Sequence, residues 1–332
     1  MHAHTVYSLH DGEQSVRDII LKAWEQGVKV LCITDHNSVS AYEEIEWLRN
    51  NDPKIAEILQ QIKIIPGIEL DAIHDGIPIH VLGFGIDLKK IQEDSWLSDY
   101  QSSLNPRDPN YHVKVSEKLR ELGLEVSSIE SIDAEYERLK TDKPNIHPGK
   151  AFVKDFENNI ERLNELGIDP ENYHQFIKSL QSPKSLEEIS KRIKESGGKV
   201  ILAHPFKYND KSYEGDTLDK KAQAILDHAI QSELIDGIEV YHGGQTVKQI
   251  EFLEKYIQGM DKEILVSGGS DSHELNQSLA MSYMKGEQYP TQNDEELVPP
   301  QKVNNLLEQI ITINEQRSQV MTESKADFSD NR

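Results

Sequence analysis

Seven histidines and two carboxylates of this chain stand in settings that suit metal ligation. They are His2 and His4 in HAH, His10 in SLHDG, His36 in ITDH, Glu69 in PGIEL, His80 in PIHVLGFG, His204 in ILAHPF, and Asp271 with His273 in GGSDSH. Imidazole nitrogen combined with carboxylate oxygen matches borderline divalent ions such as Zn, Mn or Fe. Nine donors exceed what one ion takes and suit a cluster of two or three. Alternate side chains of an extended segment share a face, so His2 and His4 can chelate one ion, as can Asp271 and His273. A single histidine at a strand end is more often a hydrogen-bonded structural residue. Nine candidates in such settings point instead to metal-assisted hydrolysis. Asp11 is the alternative to His10 for one position.

The elements that must position these residues alternate between strand and helix. Ser15 can cap a helix, SVRDIILKAWEQG, whose apolar positions recur at helical spacing until Gly27. VKVLCIT reads as a continuous apolar strand of a covered parallel sheet. Ser40 opens a second helix, and KIIPGIEL and IPIHVLGFGI follow as strands. Between about residues 89 and 194 strand-like runs vanish and helical segments dominate, which reads as an insertion. Strand–helix alternation returns with GKVILAHPF, DGIEVYHGG and KEILVSGGSDSH. The expected organisation is a first barrel part over 1–88, an insertion or cap over 89–194, and a second barrel part over 195–290. Residues 291–332 would form a C-terminal helix and an acidic, disordered tail. Repeated β–α units with ligand types at strand C-termini favour a barrel over an open sheet.

Composition excludes several classes. The formal charge of −22 discourages binding to nucleic-acid backbones in general, duplexes above all. No stretch approaches the ~20 apolar residues of a membrane span, and the first residues do not resemble a signal peptide, so a soluble, cytoplasmic protein is expected. Cys32, the only cysteine, reads as a small core residue. Trp24 and Trp47 read as core-facing, His74 as exposed in a turn, and His112, His174 and His228 as surface or packing residues.

The motifs HAHTVYSLHDG, LCITDHNSVSAYEE, IIPGIEL, HVLGFG, LAHPF, GIEVYH and SGGSDSH resemble, in order, the signatures of the PHP (polymerase and histidinol phosphatase) superfamily. The likeness covers roughly residues 1–88 and 195–280. It implies an α/β fold, a distorted (β/α)7 barrel with a helical insertion, and two or three Mn, Zn or Fe ions at the strand C-termini. It also implies His2, His4, Glu69 and Asp271 around one ion. Glu69 would bridge to a second ion with His80 and His204, and His10, His36 and His273 would hold a third. The short spacing from Glu69 to His80 and the helical insertion are similar to the nucleotide-phosphatase branch, whose members act on nucleotide phosphomonoesters or trim RNA 5′ ends. KPNIHPGKAF is similar to that branch's substrate-contact segment, which makes His147 and Lys150 candidate contacts. Lys207 is a further candidate for phosphate, and His242 for contact with the substrate or the leaving group. The chain departs from the family in having almost nothing before HAH, so either its first strand is very short or the chain start is not the native one.

The expected activity is hydrolysis of phosphomonoesters of small nucleotides or short oligonucleotides by a metal-activated water, with Glu69 and Asp271 at its centre. The alternatives are a histidinol-phosphatase-type enzyme and a non-catalytic metal-binding module.

Overall fold

The computed structural model describes residues 2–9, 11–104, 108–142, 146, 148–169, 176–177, 184–207, 217–218, 220–274, 277, 279, 282–284, 295–297, 305–313 and 315. Its main sheet contains β3 (Gly67–His74), β4 (Ile77–Phe84), β5 (Lys184–Ser185), β6 (Lys199–Leu202), β7 (Gly237–His242) and β8 (Leu265–Gly269), in the order β5-β3-β4-β6-β7-β8. A parallel pair, β1 (Val30–Leu31) and β2 (Lys63–Ile64), lies beside it.

Isolated bridges carry the pairing onward from β3 and from the β8 edge. His36 bridges to Glu69, and Ala3 bridges to Ser272 just after β8. The Thr34 N–H donates to the Ala3 carbonyl at 2.9 Å, joining those two links. Pairing therefore runs through residues 2–4, β1 with 34–36, β2 with β3, β4, β6, β7 and β8, the order expected of the barrel. It is distorted because β4 is antiparallel to both of its neighbours, β3 and β6.

The helices follow from local sequence. Ser15 accepts from the Asp18 N–H to open Val16–Glu25, whose Val16, Ile19, Ile20 and Ala23 are buried. Trp24 and Trp47 are corrections to the sequence reading: they are 44 % and 61 % exposed. In the helix Ala41–Asn51, Tyr42, Ile45 and Leu48 face inward. Trp47 stands two residues from Ile45, about 200° round the helix, so it points away from that stripe. Trp24 flanks its stripe and reaches Gln61 through its indole N–H.

Strand parity divides the interior. Leu31, Ile68, Leu70, Val81, Leu202 and Val240 pack outward against the helices. Cys32, Ile65, Leu82, Phe84, Ile201, Ala203 and Leu265 pack inward, where Leu306 and Ile310 of the helical residues 305–313 join them. Cys32 is thus a core thiol, as expected, with burial pushing its pKa up to about 12. One end of the interior is filled by apolar side chains, and the other carries Glu69 and His80. A separate apolar cluster, including Tyr111, Val115, Leu119, Phe152, Phe156 and Leu163, holds the helices of the region predicted as an insertion. No described helix is long and apolar enough to cross a membrane.

Candidate metal centre

His2 and His4 lie on the shortest segment of the ring, and backbone hydrogen bonds pin it on both sides. The Asp271 N–H donates to the His2 carbonyl at 2.9 Å, and the His4 N–H donates to the Ser272 carbonyl at 2.9 Å. Thr5 then gives its N–H (2.5 Å) and hydroxyl (2.7 Å) to buried Asp35. Gly269 lets this segment approach: a Cβ there would lie 2.2 Å from the His2 Cβ and 2.5 Å from its nitrogen.

Side chains from all round the ring meet on Glu69. Its Oε2 lies 2.8 Å from His2 Nε2, 3.1 Å from His4 Nε2 and 3.5 Å from His36 Nε2. Its Oε1 lies 3.0 Å from His80 Nδ1 and 3.2 Å from His204 Nε2. Asp271 Oδ1 is 3.1 Å from His4 Nε2 and 3.7 Å from His273 Nε2. Three imidazole nitrogens on one carboxylate oxygen exceed its lone-pair capacity for hydrogen bonds. The same crowding is what donors around cations produce, so the residues fit a metal cluster. Within this cluster three groups have donor atoms close enough to share an ion: His2, His4, Glu69 and Asp271; His36, Glu69 and His80; His4, Asp11, His36 and His273.

The expected set is therefore brought together apart from His10, which lies outside the described residues. Asp11 occupies the neighbouring position, with its Oδ2 3.0 Å from His273 Nε2 and its Oδ1 accepting from the Ser8 hydroxyl at 3.0 Å. Glu69 and His80 are not at strand ends: they are the third residue of β3 and the fourth of β4. Asp271 and His204 do follow strands, and both take left-handed backbone conformations, with φ 53° and 25°. Such conformations cost of order 1–3 kcal/mol each and persist where the surroundings impose them.

Three carboxylates behind the donors escaped the sequence reading. Glu239 Oε1 accepts from His2 Nδ1 at 2.9 Å, and its Oε2 accepts from the His204 backbone N–H at 3.0 Å. It thereby fixes one ring and the backbone of another donor. Asp71 Oδ1 lies 3.4 Å from His36 Nδ1 and 3.3 Å from His80 Nε2, on the side of each ring away from Glu69. The third is Asp35. The available signal was a charge inside apolar strand sequence, since a buried carboxylate needs partners. Carboxylates in this position orient ligand imidazoles and raise their basicity. Glu239→Gln should weaken metal affinity roughly 10- to 100-fold while leaving the protein folded, as read by ion titration of the metal-free protein.

Charge follows the same geometry. Burial disfavours protonation of His2, but Glu69, Glu239 and Asp271 overcome it and raise its pKa to about 10. Glu239 shows the converse: burial would raise it, but His2 holds it down at about 2. Burial drives His204 to about 3, so that ring is neutral. The metal-free centre thus carries a proton on His2 that any ion must displace. Ion affinity should fall as pH drops below about 10, and binding should release protons. Calorimetry in two buffers of different ionisation enthalpy measures that release.

His242 and Lys207 both face Asp271 Oδ2, at 3.1 and 2.7 Å. The Gly244 N–H donates to His242 Nδ1, so the His242 proton sits on Nε2. Burial, then Lys207, lowers the His242 pKa and keeps the ring neutral. Lys150 lies in the 3-10 turn Pro148–Phe152, whose Ala151 and Phe152 belong to the separate apolar cluster. His147 and His174 lie outside the described residues. His112 is buried rather than superficial, and its Nδ1 pairs with Asp133 at 2.6 Å. His228 is exposed as expected, whereas His74 is not.

Comparison with known proteins gives the same arrangement a context. The sequence model of the PHP domain matches residues 1–314. A 5′-3′ exoribonuclease of Haemophilus influenzae is 24 % identical over 290 residues, covering 82 % of this chain and 89 % of that protein. A 5′-3′ exoribonuclease of Escherichia coli is 24 % identical over 211 residues, covering 63 % of this chain and 66 % of that protein. Among solved structures, a putative metal-dependent phosphoesterase from Bifidobacterium adolescentis superimposes with a TM-score of 0.53 at 20 % identity. That match covers 92 % of this chain and 94 % of the other.

Proposed function

Because the chain belongs to the PHP domain family, we propose that it is a metal-dependent hydrolase of phosphate esters on small nucleotides or short 5′-phosphorylated RNA. The observation that carries this reading is the convergence of His2, His4 and His36 on one oxygen of Glu69 while His80 and His204 face the other. Asp271, His2, His4 and Glu69 are assigned to one ion, and Glu69, His80 and His204 to a second. His36, Asp11 and His273 are assigned to a third, with Asp11 in the place for which the sequence also offered His10. Zn, Mn and Fe suit this donor set. Ions held there supply Lewis acidity, neutralising phosphate oxygens and activating water near neutral pH.

The remaining roles fall to the chain's own residues. Lys207, held 2.7 Å from Asp271 and partly open to solvent, is placed to pair with a phosphate oxygen. His242 can offer its Nε2–H to the leaving oxygen as a hydrogen-bond donor. Residues 89–194 would cap the site, with His147 and Lys150 as their candidate contacts. The charge of −22 disfavours long polyanions, so the substrate is held mainly at its phosphate end. The description of the two relatives as 5′-3′ exoribonucleases supports RNA among the substrates.

The test is product analysis with Mn- and Zn-loaded protein on a nucleoside 3′,5′-bisphosphate, AMP, short 5′-phosphorylated RNA and histidinol phosphate. Phosphate release from a nucleotide, or stepwise release of mononucleotides from the RNA 5′ end, supports the proposal and names its branch. Turnover of histidinol phosphate alone would move the assignment to that phosphatase. Full ion loading without turnover of any of them would leave a metal-binding module.

A further inference from the structure

At the opposite end of the β3–β4 hairpin from Glu69, a second set of ligand-type side chains meets. His74 ends β3, Glu187 stands in the first turn of the helix Leu186–Glu195, and His228 lies in the last turn of the helix Lys220–Gln231. One donor atom from each lies within 4.8 Å of the others. The rings of His74 and His228 stack with centroids 4.7 Å apart and planes 24° from parallel. His74 Nδ1 is 3.9 Å from Glu187 Oε1, and its Nε2 is 3.8 Å from Asp75 Oδ2. Both separations are too long for hydrogen bonds.

His74 is nonetheless only 6 % exposed. Among the described residues no hydrogen bond reaches either of its ring nitrogens. The ring nitrogens are therefore not committed to a partner among the described residues and can take an ion. Donor atoms about 3.9 Å apart are a small side-chain adjustment from two ligands of one ion, each roughly 2.0–2.2 Å from it. The site is distinct from the centre. His74 lies five residues beyond Glu69, about 16 Å along the strand, and on the opposite face of the sheet.

We propose that His74, Glu187 and His228 form a separate site for one borderline divalent ion such as Zn(II) or Co(II), with open coordination positions facing solvent. Two imidazoles and a carboxylate are a competent set for such an ion. The site joins the hairpin that carries Glu69 and His80 to two helices outside the sheet, so its occupancy would brace the hairpin without touching the substrate.

The experiment counts ions in metal-free protein titrated with Zn(II) and Co(II), in the wild type and in His228→Ala and Glu187→Gln. Each variant should bind one ion fewer and lose part of the zinc-dependent rise in thermal midpoint, with turnover at saturating metal unchanged. A Glu69→Gln background, which removes the carboxylate shared by two ions of the centre, should still lose one further ion when His228→Ala is added. Midpoints in chelator should match the wild type; if one variant lowers its own, the other decides. Unchanged ion counts and unchanged zinc-dependent midpoints in a folded variant would overturn the site. Because these readouts do not depend on turnover, a failed activity assay leaves this inference standing.

Discussion

Glu69→Gln should lower kcat/KM by about 10³-fold or more while the protein stays folded. The carboxylate faces five imidazoles with its two oxygens, so it is the one group that two ions would share. Glutamine keeps the shape but removes the charge, and one of its terminal atoms becomes a donor pointed at ring nitrogens that should ligate metal. Lewis-acid stabilisation of the transition state is worth several kcal/mol, and each 1.36 kcal/mol is tenfold in rate. Steady-state kinetics paired with ion counting checks the result. A folded variant with full ion content and wild-type turnover would remove Glu69 from the reaction.

Gly269→Ala, a change of one methyl group on β8, should be nearly as damaging. The new Cβ would coincide with His2, at 2.2 Å from its Cβ and 2.5 Å from its nitrogen. His2 cannot simply retreat. Its carbonyl accepts from the Asp271 N–H, and its ring is held between Glu69 and Glu239. The substitution must displace the residue that anchors one end of the donor set. A displacement near 1 Å in a positioned group can cost on the order of 100-fold in rate. Circular dichroism should remain native-like while the ion count and kcat/KM fall. Retention of both would mean that the first segment is free to shift.

Much of the centre was legible in sequence because its donors announce themselves by chemistry. HAH and SDSH pair ligands at extended spacing, and ITDH and ILAHPF place a histidine after an apolar run. What those patterns could not carry is the second layer. Glu239 sits in GIEVYH, where His242 draws the eye, yet the glutamate is the fully buried charge in an otherwise apolar strand. Asp71 and His74 share DAIHDG, which reads as a polar turn, but β3 extends through it because β4 pairs with all eight of its residues. Pairing between distant segments decides such limits, and a local pattern does not contain it. The exposure of Trp47 was readable, since its offset from Ile45 breaks the buried stripe. The helices Val153–Asn158 and Ile160–Glu165 divide at Asn159, whose side-chain amide donates to the carbonyls of Glu125 and Asp155, a break that no local pattern announces.

The apolar end of the ring bears on how the chain comes into being. Leu306 and Ile310 complete the packing over Cys32, Leu82 and Phe84, so that apolar cluster cannot close until the chain has been synthesised to residue 310. The donor pairs are just as scattered, with His4 and Asp271 separated by 267 positions. Contacts of such long range close slowly, because loop entropy is spent before they return anything. His4 therefore cannot join Asp271 in one donor set until the whole stretch between them has been made. During that interval the nascent chain exposes both loose imidazoles and unsealed apolar staves, and ions would enter only once those distant segments have met.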